Sequence, residues 1–294
     1  MIRKQTVVKP EEIKRVIPLA GGRQLPLSRP LIVGVLNVTP DSFSDGGRYN
    51  TLDCAVHRAH QMIDEGADIV DIGGESSRPG SLPVDADEEL RRVIPVIKRL
   101  ASESDVCISI DTYRASTAQA AIDAGAGIVN DISALRSDPA MPALVAGTKV
   151  PVVLMHMQGT PRDMQKDPHY IDCVAEVAAF FEERLRFCLE SGIEKSKIIL
   201  DPGIGFGKRL SDNLALLSEL ATFRRFGLPL MVGASRKSFI GMLSPSSEQP
   251  DRRLGGSIAA AVAAVNNGAD IVRVHDVAPT VEALKVVRGI RAAV

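Results

Sequence analysis

The chain has 294 residues, 45% hydrophobic and 24% charged, with Lys+Arg 35 against Asp+Glu 36 and a formal net charge of -1. These proportions exclude a disordered, collagenous or coiled-coil chain and leave enough length to bury a full core. The charge balance gives no basic field for nucleic acid or anionic lipid, and the longest apolar run, 258–265, is far short of the roughly 20 residues that cross a bilayer. The expected partners are therefore small molecules, with no nucleic acid and no membrane among them.

In chain order, residues 1–30 come first and fall outside the pattern that follows; they are expected to form a short N-terminal extension packed on the rest. The basic start Met1-Ile2-Arg3-Lys4-Gln5 runs into Pro10-Glu11-Glu12 instead of an apolar export segment, so a cytoplasmic location is expected. From Leu31 onward, short apolar, β-branched runs alternate with segments of helical spacing. The runs predict strands over 31–38, 68–73, 106–111, 127–132, 151–156, 197–201, 229–234 and 270–274. The intervening segments predict helices near 52–65, 86–102, 114–124, 139–147, 171–191, 211–225, 253–267 and 279–291. Eight strands each followed by one helix predict a (β/α)8 TIM barrel over residues 31–294, with the doubly wound open sheet as the competing arrangement.

An internal echo favours the repetitive barrel: Gly66-Ala-Asp-Ile-Val70, Gly125-Ala-Gly-Ile-Val129 and Gly268-Ala-Asp-Ile-Val272. In each, a glycine suited to a helix C-terminus leads into a strand, and five residues on stand Asp71, Asn130 and Arg273. A barrel places its site at the C-terminal strand ends. Those ends carry Asn37, Asp71, Asp111, Asn130, Met155 with His156, Asp201, Ser235 with Lys237, and Arg273 with His275. Asp111, Asn130 and Asp201 suit the edge of a flat nitrogen heterocycle, because a carboxylate accepts two parallel hydrogen bonds. Lys237, Arg273 and His275 supply positive charge for an anion, most simply phosphate.

Two strand-to-helix connections, 37–47 and 73–80, are long and rich in turn formers, which marks them as candidate lids. The glycine run Asp201-Pro-Gly-Ile-Gly-Phe-Gly-Lys208 is neither a Walker loop nor a dinucleotide fingerprint; its glycines are expected to let backbone approach a ligand beside Asp201. His57 and His60 lack a carboxylate at metal-site spacing and read as solvated. Cys54, Cys107, Cys173 and Cys188 are scattered without a C-x-x-C pair, which indicates reduced, buried thiols. The small-residue helix 257–265 serves outer-ring packing or a subunit interface, and a homodimer is expected.

Five stretches together resemble the dihydropteroate synthase family: Asn37-Val-Thr-Pro-Asp-Ser-Phe-Ser-Asp-Gly-Gly47, Asp71-Ile-Gly-Gly-Glu-Ser-Ser-Arg-Pro-Gly80, Asp201 to Lys208, Ser235-Arg-Lys-Ser238 and Arg273-Val-His275. The resemblance runs from about Leu31 to Arg288 and implies a folate-pathway transferase joining (7,8-dihydropterin-6-yl)methyl diphosphate to p-aminobenzoate. It implies that Asp111, Asn130 and Asp201 contact the pterin ring, with Met155 against a ring face and Lys237 near the ring carbonyl; Asp71 joins them as a candidate substrate contact. It implies that Asn37, Arg273 and His275 anchor diphosphate and that Asn37 is associated with Mg2+. Asn37, Lys237, Arg273 and His275 are thus the candidate catalytic residues. Arg78, Pro79, Phe206, Lys237 and Ser235 are implied walls of the p-aminobenzoate pocket, where sulfonamides, which mimic that substrate, would also bind. Ser77 stands where the family commonly has Thr and keeps the hydroxyl, and Ile204 replaces a frequent Phe. The rivals are a corrinoid-linked methyltetrahydrofolate methyltransferase and a non-catalytic pterin-binding homologue. The first loop and Ser235-Arg236-Lys237 argue against the former, and the intact Arg78, Lys237, Arg273 and His275 against the latter.

Overall fold

The computed structural model describes residues 15–39, 48–75, 84–247 and 249–293. All eight expected strands form: β3 (Leu31–Asn37), β4 (Ile69–Gly73), β5 (Cys107–Asp111), β6 (Ile128–Asp131), β7 (Val152–Met155), β8 (Ile198–Asp201), β9 (Met231–Val232) and β10 (Ile271–Val274). They pair in parallel in the order β8-β7-β6-β5-β4-β3-β10-β9. A parallel bridge between Leu200 and Leu230, with the Leu200 N–H donating to Pro229 O at 2.9 Å, brings the two remaining edges together and closes the barrel. Parallel strands covered on both faces read as unbroken apolar runs, which is why periodicity in the sequence found them.

The period-two alternation of each strand sorts its side chains into two layers. Ile32, Val70, Ile108, Val129, Val152, Ile198 and Val272 face outward into the large core shared with the helices. Their neighbours Leu31, Val33, Ile69, Cys107, Ile128, Val153, Ile199, Met231 and Ile271 face inward and form an apolar floor inside the barrel. Two residues further along the same inward face come Asp71, Asn130, Met155, Asp201 and Arg273. One strand period thus separates the floor from the chemistry.

Ahead of the barrel, β1 (Val16–Pro18) and β2 (Gln24–Pro26) form an antiparallel hairpin in which Ile17 pairs with Leu25. Ile17 and Leu19 enter the floor cluster from below, so the hairpin plugs the barrel bottom. Arg15 holds Asp270 through two hydrogen bonds of 2.7 and 3.0 Å, and Lys197 Nζ donates to Pro18 O at 2.7 Å.

The surrounding helices are α1 (Arg48–Asp64), α2 (Ala86–Glu103), α3 (Ala115–Asp123), α4 (Met141–Thr148), α5 (Cys173–Glu190), α6 (Leu210–Ser218), α7 (Ser238–Leu243), α8 (Leu254–Asn266) and α9 (Val277–Ala292). Two differ from the sequence expectation. The helix expected over 211–225 ends at Ser218 and continues as a 3-10 turn, Leu220–Phe226. There Leu220, Phe223 and Phe226, three apart and all buried, align on one side as a three-residue repeat requires, and Phe181 meets Phe223 and Phe226 edge-on at 5.5 and 6.0 Å. The six-residue α7 is additional, too short to show a helical period in the sequence. No helix among the described residues is long and apolar enough to cross a membrane. Cys107, Cys173 and Cys188 are buried free thiols, while Cys54 is only half-buried.

Candidate active site

At the C-terminal mouth a cleft is lined by seven of the expected residues, Asp111, Asn130, Met155, Asp201, Phe206, Lys237 and Arg273. Met155 belongs to a small apolar cluster with Ile132, Met157, Met164 and Phe206, and Ile132, Met155 and Phe206 of this cluster give the cleft apolar lining. Asp201 is buried, and one carboxylate oxygen accepts the Gly203 N–H at 2.7 Å. Burial pushes its carboxyl upward, opposed by that hydrogen bond and by Lys237 and Arg273.

The glycine run after Asp201 packs against a distant segment of the chain. Gly203, Gly205 and Gly207 all lie in the left-handed region, with φ of 68°, 81° and 61°. A Cβ on Gly203 would stand 2.0 Å from His156 O, and one on Gly207 would stand 2.3 Å from Gln158 O. The close backbone approach at these two positions is therefore to the chain's own 156–158 segment, and Gly203 also lines the cleft. Lys208, buried, staples the turn shut: its Nζ donates to Phe206 O at 3.0 Å, His156 O at 3.3 Å and His156 Nδ1 at 3.0 Å. Gly203→Ala is expected to lower the melting temperature by several degrees in calorimetry, since positive φ alone costs about 1–3 kcal/mol and the clash adds to it. His156 itself turns out of the cleft onto Phe180, edge to face at 4.8 Å, so it is not a rim group. Burial and the Lys208 charge push it down to about 2, leaving it a neutral acceptor.

Lys237 opens α7 and lays its ammonium 3.8 Å from the Phe206 ring centroid. Burial, then the neighbouring Arg273, hold it down to about 8, against the pull of Asp201 and Asp111. The turn before it is built by Arg236, a residue whose role the sequence did not reveal. Arg236 sits at φ 58°, its guanidinium grips both oxygens of Asp276 at 2.6 and 3.0 Å, and its N–H donates to Ser257 Oγ at 2.9 Å. That strained, doubly anchored residue faces Ser235 and Lys237 toward the mouth. Ser235 Oγ accepts the His275 N–H at 3.3 Å and shares a 3.0 Å hydrogen bond with His275 Nδ1.

Arg273 is the hub. Its Nε donates to Asp71 Oδ2 at 2.6 Å and its Nη2 to Asp111 Oδ2 at 2.7 Å, while Asn130 Nδ2 donates to the same Asp71 oxygen at 3.0 Å. Burial pushes Asp111 up to about 7, with Arg273 the main opposing influence. Asp71, expected as a substrate contact, is 1% exposed, does not line the cleft and stands one inward step below Asp111. His275, expected as a cation, is shifted toward its neutral form in the ligand-free site. Burial and the charges of Arg273, Arg236 and Lys237 push it down to about 3, so the ligand-free site presents a neutral imidazole. Asn37 ends β3 partly exposed, beside Gly73 and Asp111 of the next two strands. Ser77, Arg78 and Pro79, and the first loop from Pro40 to Gly47, lie outside the described residues.

A second ion-pair network, invisible in the sequence reading, brackets residues 76–83. Arg114 pairs with Glu75 at 2.9 Å and Glu89 at 2.8 Å and donates to Val84 O at 2.6 Å. Tyr113 Oη donates to the Glu75 carboxylate at 3.0 Å, and Thr117 Oγ1 to Glu89 at 2.8 Å. The available signal was Glu89 itself, an acid on the apolar face of α2 with Val93, Val96, Ile97 and Leu100. Removing the cation from Glu89, which is 1% exposed, leaves a buried charge unpaired. Arg114→Met is accordingly expected to cost about 3–5 kcal/mol in a denaturant titration.

The chain matches the family model described as pterin binding enzyme over residues 33–275. It is 52% identical over 270 residues to the dihydropteroate synthase of Escherichia coli strain K12, covering 92% of this chain and 95% of that protein. Among solved structures it is similar to Xanthomonas albilineans dihydropteroate synthase with 4-aminobenzoic acid, at 47% identity and a TM-score of 0.89 over 95% of this chain and 99% of that one. It is similar also to the same enzyme in complex with 7,8-dihydropteroate, at 45% identity and a TM-score of 0.86, covering 94% and 99% of the two chains.

Proposed function

The chain belongs to the dihydropteroate synthase family of pterin-binding enzymes, and from that premise we propose how its residues carry the reaction. The activity is that of a transferase, condensing (7,8-dihydropterin-6-yl)methyl diphosphate with p-aminobenzoate to 7,8-dihydropteroate and diphosphate. The observation that carries the assignment of roles is the convergence of Asp111, Asn130, Asp201, Lys237 and Arg273 on one cleft with an apolar Met155 side. Asp201, Asp111 and Asn130 bind the edge of the pterin, and Met155 packs on its face. Lys237 points its ammonium to the ring carbonyl. Arg78, Pro79, Phe206, Lys237 and Ser235 are assigned to the p-aminobenzoate pocket, with Ser77 a further substrate contact.

The bond from the exocyclic methylene to the diphosphate oxygen breaks with its electron pair leaving on diphosphate. The electron-rich dihydropterin carries the positive charge until the aromatic amine forms the new C–N bond and releases its proton. Arg273 and the neutral His275 N–H stabilise the charge growing on the leaving group. Little acid-base machinery is needed, and among the described residues none resembling a nucleophile and base pair lines the cleft.

Mg2+ fits this site as a substrate-borne ion. Among the described residues no group of three His, Cys, Asp or Glu side chains could hold a metal alone. A single neutral oxygen from Asn37 suits an ion that takes most of its ligands from phosphate and water. When bound, Mg2+ supplies further neutralisation of the diphosphate charge.

Incubation with dihydropterin diphosphate, p-aminobenzoate and Mg2+ should yield dihydropteroate by mass. Turnover of methyltetrahydrofolate with a corrinoid acceptor instead would return the methyltransferase reading. The pH dependence follows from Lys237: held down to about 8, it loses its cation as pH rises through that value. kcat/KM is expected to fall above about pH 8, and a pH profile of Lys237→Met should lack that limb.

A homodimer is supported by α7 and α8, whose Met242, Leu243 and Leu254 are exposed, with Ile258 and Val262 continuing the apolar face of α8 between them. Light scattering should give twice the 31.4 kDa chain mass, and Leu243→Glu should return it to a monomer. The reduced thiols support a cytoplasmic location.

A further inference from the structure

We propose that Asp71 is the positioning residue of this site: beneath the cleft, it fixes the Arg273 guanidinium from one side and the Asn130 amide from the other. The proposal rests on the roles given above to Arg273 and Asn130. Asp71 is 1% exposed, and its Oδ1, buried, meets no hydrogen-bond donor among the described residues. Among the described residues its hydrogen bonding therefore passes through Oδ2, which accepts from Arg273 Nε and Asn130 Nδ2. A carboxylate this deeply buried is costly unless paired, so its whole return lies in those two partners.

The two anchors of Arg273 are unequal. Asp111 lines the cleft and is itself a pterin contact, so its 2.7 Å bond to Nη2 is open to exchange when substrate arrives. Asp71 does not line the cleft, so its bond to Nε faces no competing substrate group there. With the stem of the guanidinium pinned at Nε, Nη1 and the second Nη2 hydrogen remain for the leaving group.

The effect on Asn130 is one of polarity. Because one Nδ2 hydrogen is held by Asp71, the amide cannot reverse, and Asn130 keeps its oxygen as the acceptor it offers to a ring donor. In Asp71→Asn the new side chain can donate in turn, letting the Asn130 amide reverse and set its NH2 against a ring N–H.

The test uses two probes by calorimetry: inorganic diphosphate with Mg2+, which reports Arg273, and a hydroxymethylpterin without phosphate, which reports Asn130. Asp71→Asn removes the charge; Asp71→Glu keeps the charge and displaces it. Both are expected to bind each probe at least about tenfold more weakly, since small misplacements of supporting groups cost that much, with melting curves confirming the fold. Arg273→Met should also lose diphosphate affinity, and adding Asp71→Asn to it should lose no more, because Asp71 acts on that probe through Arg273. Wild-type affinity in Asp71→Glu would overturn the proposal by showing that charge alone matters. Full additivity of Asp71→Asn and Arg273→Met for diphosphate would overturn it equally. Should Arg273→Met itself bind diphosphate normally, the leaving-group role fails instead, and the pterin probe then decides on Asp71.

Discussion

Replacing Arg273 by methionine is expected to lower turnover by about two to three orders of magnitude, the usual loss when one preorganised donor is taken from a developing negative charge. The structure adds a condition to that expectation. Arg273 also opposes the burial that pushes Asp111 upward, by donating to it at 2.7 Å. Without the guanidinium, Asp111 rises further and stays protonated at neutral pH, and a protonated carboxyl is a poorer partner for the ring donors. The variant should therefore bind a phosphate-free pterin weakly at neutral pH and regain affinity as the pH rises and Asp111 ionises. Turnover should not recover with it, because the leaving group still lacks its cation. Single-turnover rates and pterin titrations at matched pH separate the two effects. Parallel recovery of both would mean that Arg273 serves only to keep Asp111 ionised.

What could be read in the sequence, and what could not, divides along the same line. The eight strands were legible because a parallel strand buried on both faces must be apolar throughout. Asp71, Asp111, Asn130, Asp201 and Arg273 were legible as a set because each is a polar residue interrupting such a run at its C-terminal end. Their depth was not legible. Asp71 and Asp111 belong to adjacent strands, but register pairs Asp71 with Ser109 and Gly73 with Asp111, so Asp111 sits one inward step higher. Only that step makes one carboxylate a wall of the cleft and the other its support. Charge states were equally hidden: His275 looks cationic in sequence and is neutral beside Arg273, Arg236 and Lys237. The 156–158 segment that forces glycine at 203 and 207 lies more than forty residues away in the chain. Arg114 and Glu89 meet across a β-strand and a helix, a distance no local pattern encodes.

The second large effect is expected at Asp201. Asp201→Asn keeps the size of the side chain and an oxygen for the Gly203 N–H, now held at 2.7 Å, so the turn from Gly203 to Lys208 should persist. What it loses is the second carboxylate oxygen, the one not used by the backbone. An amide there presents an NH2 to a ring edge that itself offers N–H donors, and a donor facing a donor leaves both without a partner in a buried place. The cost of such a mismatch is about 1–3 kcal/mol, which corresponds to roughly a fivefold to a hundredfold loss of affinity. Calorimetry with a non-reactive pterin measures it directly. The loss should persist at high pH, unlike that in the Arg273 variant, because asparagine has no proton to release. Unchanged affinity would mean that Asp201 serves only to cap the Gly203 turn and to offset Lys237, and that Asp111 and Asn130 alone read the ring.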